Sequence, residues 1–162
     1  MDQGTSVFIT QLPADFEHWD DVLALIIRAF AFMEGVIDPP PSAHLLTLDS
    51  LRDKAGQETA FIALRGGRIV GCVFALERAN DFYIGKLAVE PGFQAQGVGK
   101  RLMQATEELA RSRNKTAIEL QTRIELTGNH AAFARLGFRE IARTAHKGYD
   151  RPTSITMRKA LA

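Results

Sequence analysis

Apolar and polar residues follow two different periods along the chain, and their order predicts a mixed α/β domain. Strand-like alternation or short β-rich runs occupy seven segments: residues 7–12, 59–65, 68–76, 82–89, 116–122, 138–145 and 153–157. Apolar residues spaced by three and four predict helices in four more: residues 16–30, from 44 or 48 to 54, 97–113 and 129–136. The order of elements is therefore β-α-α-β-β-β-α-β-α-β-β.

Capping and turn residues mark several boundaries. Asp15 precedes the first helix as a candidate cap, and Gly137 is expected to end the last one. Gly66 and Gly67 predict a hairpin between two strands. Antiparallel strands followed by a β-α-β unit imply a mixed sheet with helices on both faces. The pattern contains no repeat, linker or low-complexity tract, so residues 1–162 are predicted to form a single domain.

The helical spacing also assigns side chains to faces. Trp19 falls on the apolar face of the first helix and is expected in the core, while Glu107 and Glu108 fall on the polar face of the third. Cys72 lies in an apolar strand and is expected to be a buried hydrophobic residue rather than a catalytic one. A single cysteine allows no intramolecular disulfide, which fits a reducing, cytoplasmic setting.

Charge and composition argue against several partners. The chain has 20 basic and 19 acidic residues, a net charge of +1, so no strong field attracts nucleic acid or a membrane surface. No apolar run approaches the roughly 18 residues of a membrane helix, and the first residues lack the pattern of a signal peptide. Four histidines without paired spacing argue against a metal site. We expect a cytoplasmic protein that binds neither nucleic acid nor membrane and holds no metal.

Residues 87–103 carry the most informative pattern, a strand followed by a glycine-containing turn and a helix. A helix start offers backbone N–H groups without internal partners and the positive end of the helix dipole, which together favour a phosphate or pyrophosphate. Gly97 and Gly99 remove side chains where such an anion approaches the backbone. Lys100 and Arg101 add positive charge in the first turn.

Two familiar phosphate-binding patterns do not fit this turn. The P-loop ending at Gly99 and Lys100 requires glycine at position 94 and serine or threonine at 101, where the chain has Gln94 and Arg101. The dinucleotide fingerprint requires glycine at position 102, where the chain has Leu102.

A third pattern does fit, R/Q-x-x-G-x-G/A, as Gln94-Ala-Gln-Gly-Val-Gly99. With this motif the sequence resembles the GNAT superfamily of N-acetyltransferases over nearly its whole length. The preceding Leu87-Ala-Val89 is similar to the strand of that family that splays to admit pantetheine. Residues 129–138, an asparagine and a short helix ending in Gly-Phe, resemble its second cofactor motif.

The resemblance implies an α/β fold of the GNAT type, with a mixed, mostly antiparallel sheet splayed at the fourth strand, and acetyl-CoA as cosubstrate. Backbone groups of Leu87 and Val89 are expected to hold the pantetheine arm, amides of residues 95–100 to cradle the pyrophosphate, and Asn129 to hydrogen-bond the pantetheine. The residues assigned to the cofactor are Leu87, Ala88, Val89, Gln94, Ala95, Gln96, Gly97, Val98, Gly99, Lys100, Asn129 and Phe133.

The resemblance also points to candidate proton-transfer groups. Many members have a tyrosine four residues before the glycine of Gly-Phe; this chain has Phe133 there, so that acid is missing. A glutamate base of some members corresponds to Tyr83, whose hydroxyl is able to hold a water but is a poor base near pH 7. Tyr83, Glu34 and Tyr149 are the catalytic candidates, from a set that also contains His44, His130 and His146.

Three functions stay open. The first is transfer of acetyl from acetyl-CoA to the primary amine of a small molecule by direct attack on the thioester. The second, which Phe133 favours, is an acetyl-CoA-binding module without catalysis. The third is acetylation of a protein N-terminus or lysine, but residues 33–42 carry only two acidic side chains for a basic target, and Phe30, Phe32 and Met33 favour an apolar pocket. The sequence does not identify the acceptor amine, and it leaves open whether the protein is a homodimer.

Overall fold

The computed structural model describes residues 6–161 and contains one seven-stranded sheet. The strands are β1 (Val7–Gln11), β2 (Thr59–Arg65), β3 (Arg68–Glu77), β4 (Asp81–Val89), β5 (Ala117–Arg123), β6 (Arg139–Thr144) and β7 (Ser154–Ala160). Their order is β1-β2-β3-β4-β5-β7-β6, and neighbours are antiparallel except for the parallel pair β4 and β5. The predicted mixed sheet is confirmed.

Four α-helices accompany the sheet: α1 (Trp19–Phe30), α2 (Leu48–Gln57), α3 (Val98–Ser112) and α4 (Thr127–Arg135). The prediction that Asp15 caps the first helix was wrong, because α1 begins after His18 and no side chain caps it. α2 begins at a reciprocal capping box, in which Thr47 Oγ1 accepts from the Ser50 N–H and Ser50 Oγ accepts from the Thr47 N–H. Within residues 6–161, no helix is both long and apolar enough to cross a membrane.

The sheet opens at the fourth strand. Parallel pairing joins Asp81–Ile84 of β4 to residues 117–120 of β5, and it stops there although both strands continue. β4 runs on to Val89 along β3, and β5 runs on to Arg123 along β7. The expected splay is therefore present, and it divides the sheet into a β1–β4 half and a β5–β7 half.

Apolar cores lie on both faces of the sheet. α3 packs over one face, and Gly71 of β3 permits close approach there, since a Cβ on it would lie 3.0 Å from Leu102 Cδ1. α1 and α2 cover the other face, where Trp19 is only 6% exposed, as predicted. Cys72 belongs to this second core and is buried.

One side chain of α3 departs from the predicted face. Glu107 is only 8% exposed, although its position in the helix assigned it to the polar side. Lys159 of β7 explains the difference, because its Nζ lies 2.9 Å from Glu107 Oε1 and gives the carboxylate a charged partner.

Candidate active site

The turn before α3 has a backbone conformation that aims amides outward. Ala95 and Gly97 both adopt positive φ, 63° and 82°, and Gly97 is the residue that caps α3. The first helical hydrogen bond is from the Arg101 N–H to the Gly97 oxygen, at 3.0 Å. The amides of residues 98–100 therefore have no acceptor within the helix, which creates an anion site at its positive end.

Side chains of the same turn brace it instead of filling it. Gln94 Nε2 donates to the Val89 oxygen and Gln96 Nε2 to the Gly92 oxygen, each at 3.3 Å. A Cβ on Gly99 would meet Val89 Cγ2 at an ordinary 3.6 Å, so packing within the protein does not require glycine there. Arg101 reaches away from the turn and donates to the Val7 oxygen at 2.6 Å, whereas Lys100 is exposed.

The splay opens into a cavity of about 370 Å³ between the two halves of the sheet. β4 and β5 form its walls, α4 contributes one side, and the segment between α1 and α2 covers it. We call that segment, residues 31–47, the roof loop. The lining residues are Phe30, Met33, Ile37, Pro41, Ser42, Ala43, Lys54, Tyr83, Ile84, Gly85, Lys86, Leu87, Leu120, Gln121, Thr122, Arg123, Leu126, Asn129, Phe133, His146 and Ser154.

Only some of the residues expected to bind cofactor meet at this cavity. Leu87, Asn129 and Phe133 line it, and the Phe133 ring packs edge-on against Phe138 with centroids 5.8 Å apart. Ala88 points to the opposite face and is buried in the core beneath α1. The turn at residues 94–100 lies outside the cavity lining, beyond the end of β4.

Of the three catalytic candidates Tyr83, Glu34 and Tyr149, Tyr83 lines the cavity. Burial raises the pKa of its phenol above the usual value, and the neighbouring Glu119 carboxylate raises it further. The Arg78 guanidinium lies over the ring, 5.2 Å from its centroid. The hydroxyl is therefore protonated at neutral pH and is suited to orient a water or an amine rather than to remove a proton.

The other two catalytic candidates lie outside the cavity and hold the roof loop. Exposed Glu34 pairs with His44, with Oε1 and Nε2 2.8 Å apart. The Tyr149 hydroxyl donates to Asp38 Oδ1 at 2.6 Å, and Arg151 Nη2 reaches the other oxygen of that carboxylate at 3.1 Å. Through these contacts both residues help to fix the roof loop, although neither of them lines the cavity.

Of the two remaining histidine candidates, His130 lies outside the cavity lining and His146 is part of it. His130 Nε2 lies 2.9 Å from the Arg123 carbonyl oxygen, a contact that joins α4 to the end of β5. His146 lines the cavity and contacts the Thr153 hydroxyl. Burial lowers the pKa of His146, and the nearby Arg123 guanidinium lowers it further, so the imidazole is uncharged at neutral pH.

Three basic residues of the lining were missed by sequence reasoning. Lys54 comes from α2, Lys86 from β4 and Arg123 from β5, and they belong to no common motif. Arg123 Nη1 donates to the Pro39 oxygen at 2.7 Å and Nη2 to the Pro40 oxygen at 3.1 Å, which ties the roof loop to β5. Only the fold brings the three cations together.

Comparisons with known proteins agree with this arrangement. The sequence model of the acetyltransferase (GNAT) family matches residues 19–138. An IAA acetyltransferase of Azospirillum brasilense is 29% identical over 145 residues, covering 88% of this chain and 92% of that protein.

Solved structures show the same fold. The PaiA N-acetyltransferase of Thermoplasma acidophilum, in complex with coenzyme A, aligns with a TM-score of 0.82 and 12% identity over 97% of this chain and 100% of that one. A GNAT family acetyltransferase of Elizabethkingia anophelis with acetyl-CoA bound aligns with a TM-score of 0.68 and 17% identity over 96% and 98% of the two chains. With a family match over most of its length, the protein belongs to the acetyltransferase (GNAT) family and is an acyltransferase.

Proposed function

We propose that the protein transfers the acetyl group of acetyl-CoA to the primary amine of a small molecule, by direct attack of the amine on the thioester. The observation that carries the proposal is the opening of the sheet after Ile84, which leaves a cavity beside the outer part of β4. That strand then leads directly to an anion-binding helix start at residues 97–100.

Acetyl-CoA is the acyl donor of this reaction, in keeping with the ligands named for the two structural neighbours. The amides of residues 95–100 would bind its pyrophosphate. The free edge of β4 at Leu87 and Val89 would hydrogen-bond the pantetheine arm as a neighbouring strand does. An N–H of that edge would also stabilise the oxygen of the thioester carbonyl as negative charge develops on it.

The reaction requires few catalytic side chains. The amine nitrogen forms a bond to the acetyl carbon, the carbon–sulfur bond breaks, and the thiolate takes a proton from water. The attacking amine loses one proton, which a water held by the Tyr83 hydroxyl passes to solvent. Phe133 is placed at the cavity but has no proton to give, and a thiolate departs without help more readily than an alkoxide.

The shape of the cavity favours a small acceptor. Its volume of about 370 Å³ is within the range of small-molecule sites. The roof loop covers it and is held by Arg123, Tyr149 and Arg151 through hydrogen bonds to Pro39, Pro40 and Asp38. A cavity of this size beside a tethered loop suits a small amine better than a polypeptide.

Phe133 occupies the position of the usual acid, so a loss of catalysis within this acyltransferase family, with acetyl-CoA binding alone retained, is the outcome to test against the proposed function. The two outcomes differ in one measurement, which is the release of free CoA thiol from acetyl-CoA. We expect release to depend on an added amine, tested with small amines, amino acids, polyamines and peptides. Binding without release from any of them would favour loss of catalysis, and release with peptides alone would favour a protein acceptor.

Donor binding is measured separately by thermal unfolding and calorimetry with CoA, ATP and NAD. A ligand that binds only the folded state at a hundred times its Kd stabilises a protein by about 2.7 kcal/mol. We expect CoA to stabilise the protein in this way and ATP and NAD not to do so. Stabilisation by ATP or NAD without any by CoA would falsify the assignment of the donor.

A further inference from the structure

The cavity has an unbalanced charge, although the chain as a whole is close to neutral. Its lining includes Lys54, Lys86, Arg123 and the uncharged imidazole of His146. As far as the structure describes the chain, no aspartate or glutamate lines it. The whole sequence has 20 basic and 19 acidic residues, so this separation is a local feature of the cavity.

Two of the three cations have partners outside the lining. Lys54 Nζ lies 2.8 Å from Glu58 Oε2 in a pair that is mostly buried. Arg123 donates to two carbonyl oxygens of the roof loop, and the nearby Glu125 carboxylate attracts its guanidinium electrostatically. Their charges are therefore partly used in holding α2 and the roof loop.

Lys86 is different. Its half-buried ammonium donates to the neutral hydroxyl of Ser42 at 2.7 Å, and among residues 6–161 no carboxylate lies within ion-pair distance of it. Burial lowers the pKa of Lys86, and the charges of Lys54 and Arg123 lower it further. A positive φ of 50° at this residue bends β4 at the point where the cavity opens. An ammonium among like charges without an anion is unfavourable unless a ligand supplies one.

The donor's phosphates do not account for this cluster. They are assigned to the turn at residues 94–100, and none of those residues lines the cavity. The cations lie instead with Tyr83 and Ser42, on the side that the roof loop covers. This is the side left for the acceptor once pantetheine lies along β4.

We propose that the acceptor is an amino acid, a primary amine that carries its own carboxylate, and that Lys86 binds this carboxylate. The inference rests on the proposed acetyl transfer. Dicationic amines such as polyamines are disfavoured, because their second charge would face three cations. Phe30, Met33 and Ile37 of the same lining are apolar and suit an apolar side chain.

Matched acceptors test the inference directly. Leucine, methionine and phenylalanine are compared with their carboxamides and with the amines lacking the carboxyl group, by kcat/KM for thiol release. We expect the amino acids to exceed both analogues by at least about tenfold, the effect of a hydrogen bond between charged groups. The carboxamide has the less basic amine and more of the reactive form at neutral pH, so amine basicity alone would give the opposite order.

Matched variants connect the preference to one side chain. Lys86→Met keeps an unbranched side chain close in length to the lysine stem but removes the ammonium, and it is expected to lower kcat/KM for the amino acids by about 10- to 100-fold while changing that for the carboxamides less than threefold. Lys86→Arg should retain the preference. Lys147→Met removes an exposed cation outside the lining and should leave all three substrate classes unchanged. CoA affinity, measured by calorimetry, should match the parent in every variant.

The remaining outcomes are separable. Equal or faster turnover of carboxamides or simple amines overturns the inference and leaves acetyl transfer standing. An equal loss for acids and amides in Lys86→Met also overturns it, since Lys86 would then act in catalysis rather than in recognition. Absence of thiol release with every amine, together with absence of CoA binding, contradicts the proposed function itself.

Discussion

At the scale of single residues, the cavity contains groups that keep one protonation state around neutral pH. Burial raises the pKa of Tyr83 and lowers that of His146, so the first stays protonated and the second uncharged. Cys72, with its pKa raised to about 12 by burial, belongs to the core and is no nucleophile. Such a site positions a neutral amine more readily than it removes a proton from a charged one.

Substitution of Phe133 by tyrosine tests what a hydroxyl at this cavity would contribute to catalysis. The ring is half-buried and lines the cavity, so Phe133→Tyr is expected to keep the stability of the parent and to transfer acetyl at least as fast. General-acid assistance is worth on the order of 10²–10⁴-fold wherever departure of the leaving group limits the rate. Steady-state thiol release and a melting curve on the same preparation measure both quantities.

The control is the neighbouring ring. Phe138 is 2% exposed and belongs to an apolar core, so a hydroxyl added there would be buried, and Phe138→Tyr is expected to lower the free energy of unfolding by about 1–3 kcal/mol. If Phe133→Tyr loses stability and activity together as Phe138→Tyr does, then Phe133 is a core residue and does not border the thioester.

At the scale of elements, a strand, a turn and a helix combine to form the proposed donor site. β4 supplies a free backbone edge because its pairing with β5 ends at Ile84, and α3 supplies free amides because Gly97 caps it in the left-handed conformation. The two parts are consecutive in the chain, so a single local pattern encodes both. The proposed acceptor side is assembled differently, from the roof loop, α2 and β5.

Gly99 gives a direct test of the turn. We expect Gly99→Asp to weaken CoA binding by about 100-fold or more, because like charges brought together cost several kcal/mol. The folded state should tolerate the change, since a Cβ there makes only ordinary contact with Val89 and a carboxylate near a helix start is favourable. Calorimetry with CoA and a melting curve without ligand measure the two effects.

Gly99→Ala is the matched control, because it adds the Cβ without the charge and the motif itself allows alanine at this position. It should bind CoA within about tenfold of the parent, which is 1.4 kcal/mol. Parent-like affinity in Gly99→Asp would show that the pyrophosphate binds elsewhere.

At the scale of the whole molecule, a charged network joins the two halves of the sheet below the splay. Asp81 at the start of β4 accepts from Arg78 Nε at 2.6 Å and from Arg158 Nη1 of β7 at 2.6 Å. Glu119 of β5 contacts the same two arginines, at 3.0 and 3.1 Å. The network lies beside the short parallel pairing and reinforces it.

Asp81→Asn is expected to lower the free energy of unfolding by about 1–3 kcal/mol at neutral pH, since it removes the charge of one of the two carboxylates that Arg78 and Arg158 share. The hydrogen bond from Arg78, with a further one from Arg158, lowers the pKa of Asp81 below its ordinary 3.8 despite burial. The stabilisation is therefore present above that pH and is lost as pH falls below it. Urea unfolding across the acid range measures both.

Asp49→Asn is the comparison, because the Asp49 side chain is 91% exposed in its pair with Arg52. We expect it to change stability by less than about 0.5 kcal/mol. An acid dependence that is the same in Asp81→Asn and in the parent would mean that the network does not join the halves energetically.

The sequence was most informative where the governing interactions are local. Periodicity predicted the order of elements, and residues 94–99 predicted the turn and helix start that we propose for the donor, because both depend on neighbours in the chain. Glu107 was misplaced because its partner, Lys159, lies in a distant strand. The convergence of Lys54, Lys86 and Arg123 was unpredictable for the same reason, since three separate elements bring them together.

The gap between β4 and β5 has a thermodynamic consequence for the free protein. Beyond Ile84 the two strands forgo the ladder hydrogen bonds that closure would give, so the folded state is less stable than a fully paired sheet of the same composition. Beyond Ile84, the edge of β4 that faces β5 is already unpaired in the free protein. If the donor binds along this edge as proposed, the hydrogen bonds that the sheet lacks in the free protein would be formed with the donor and would contribute to its affinity.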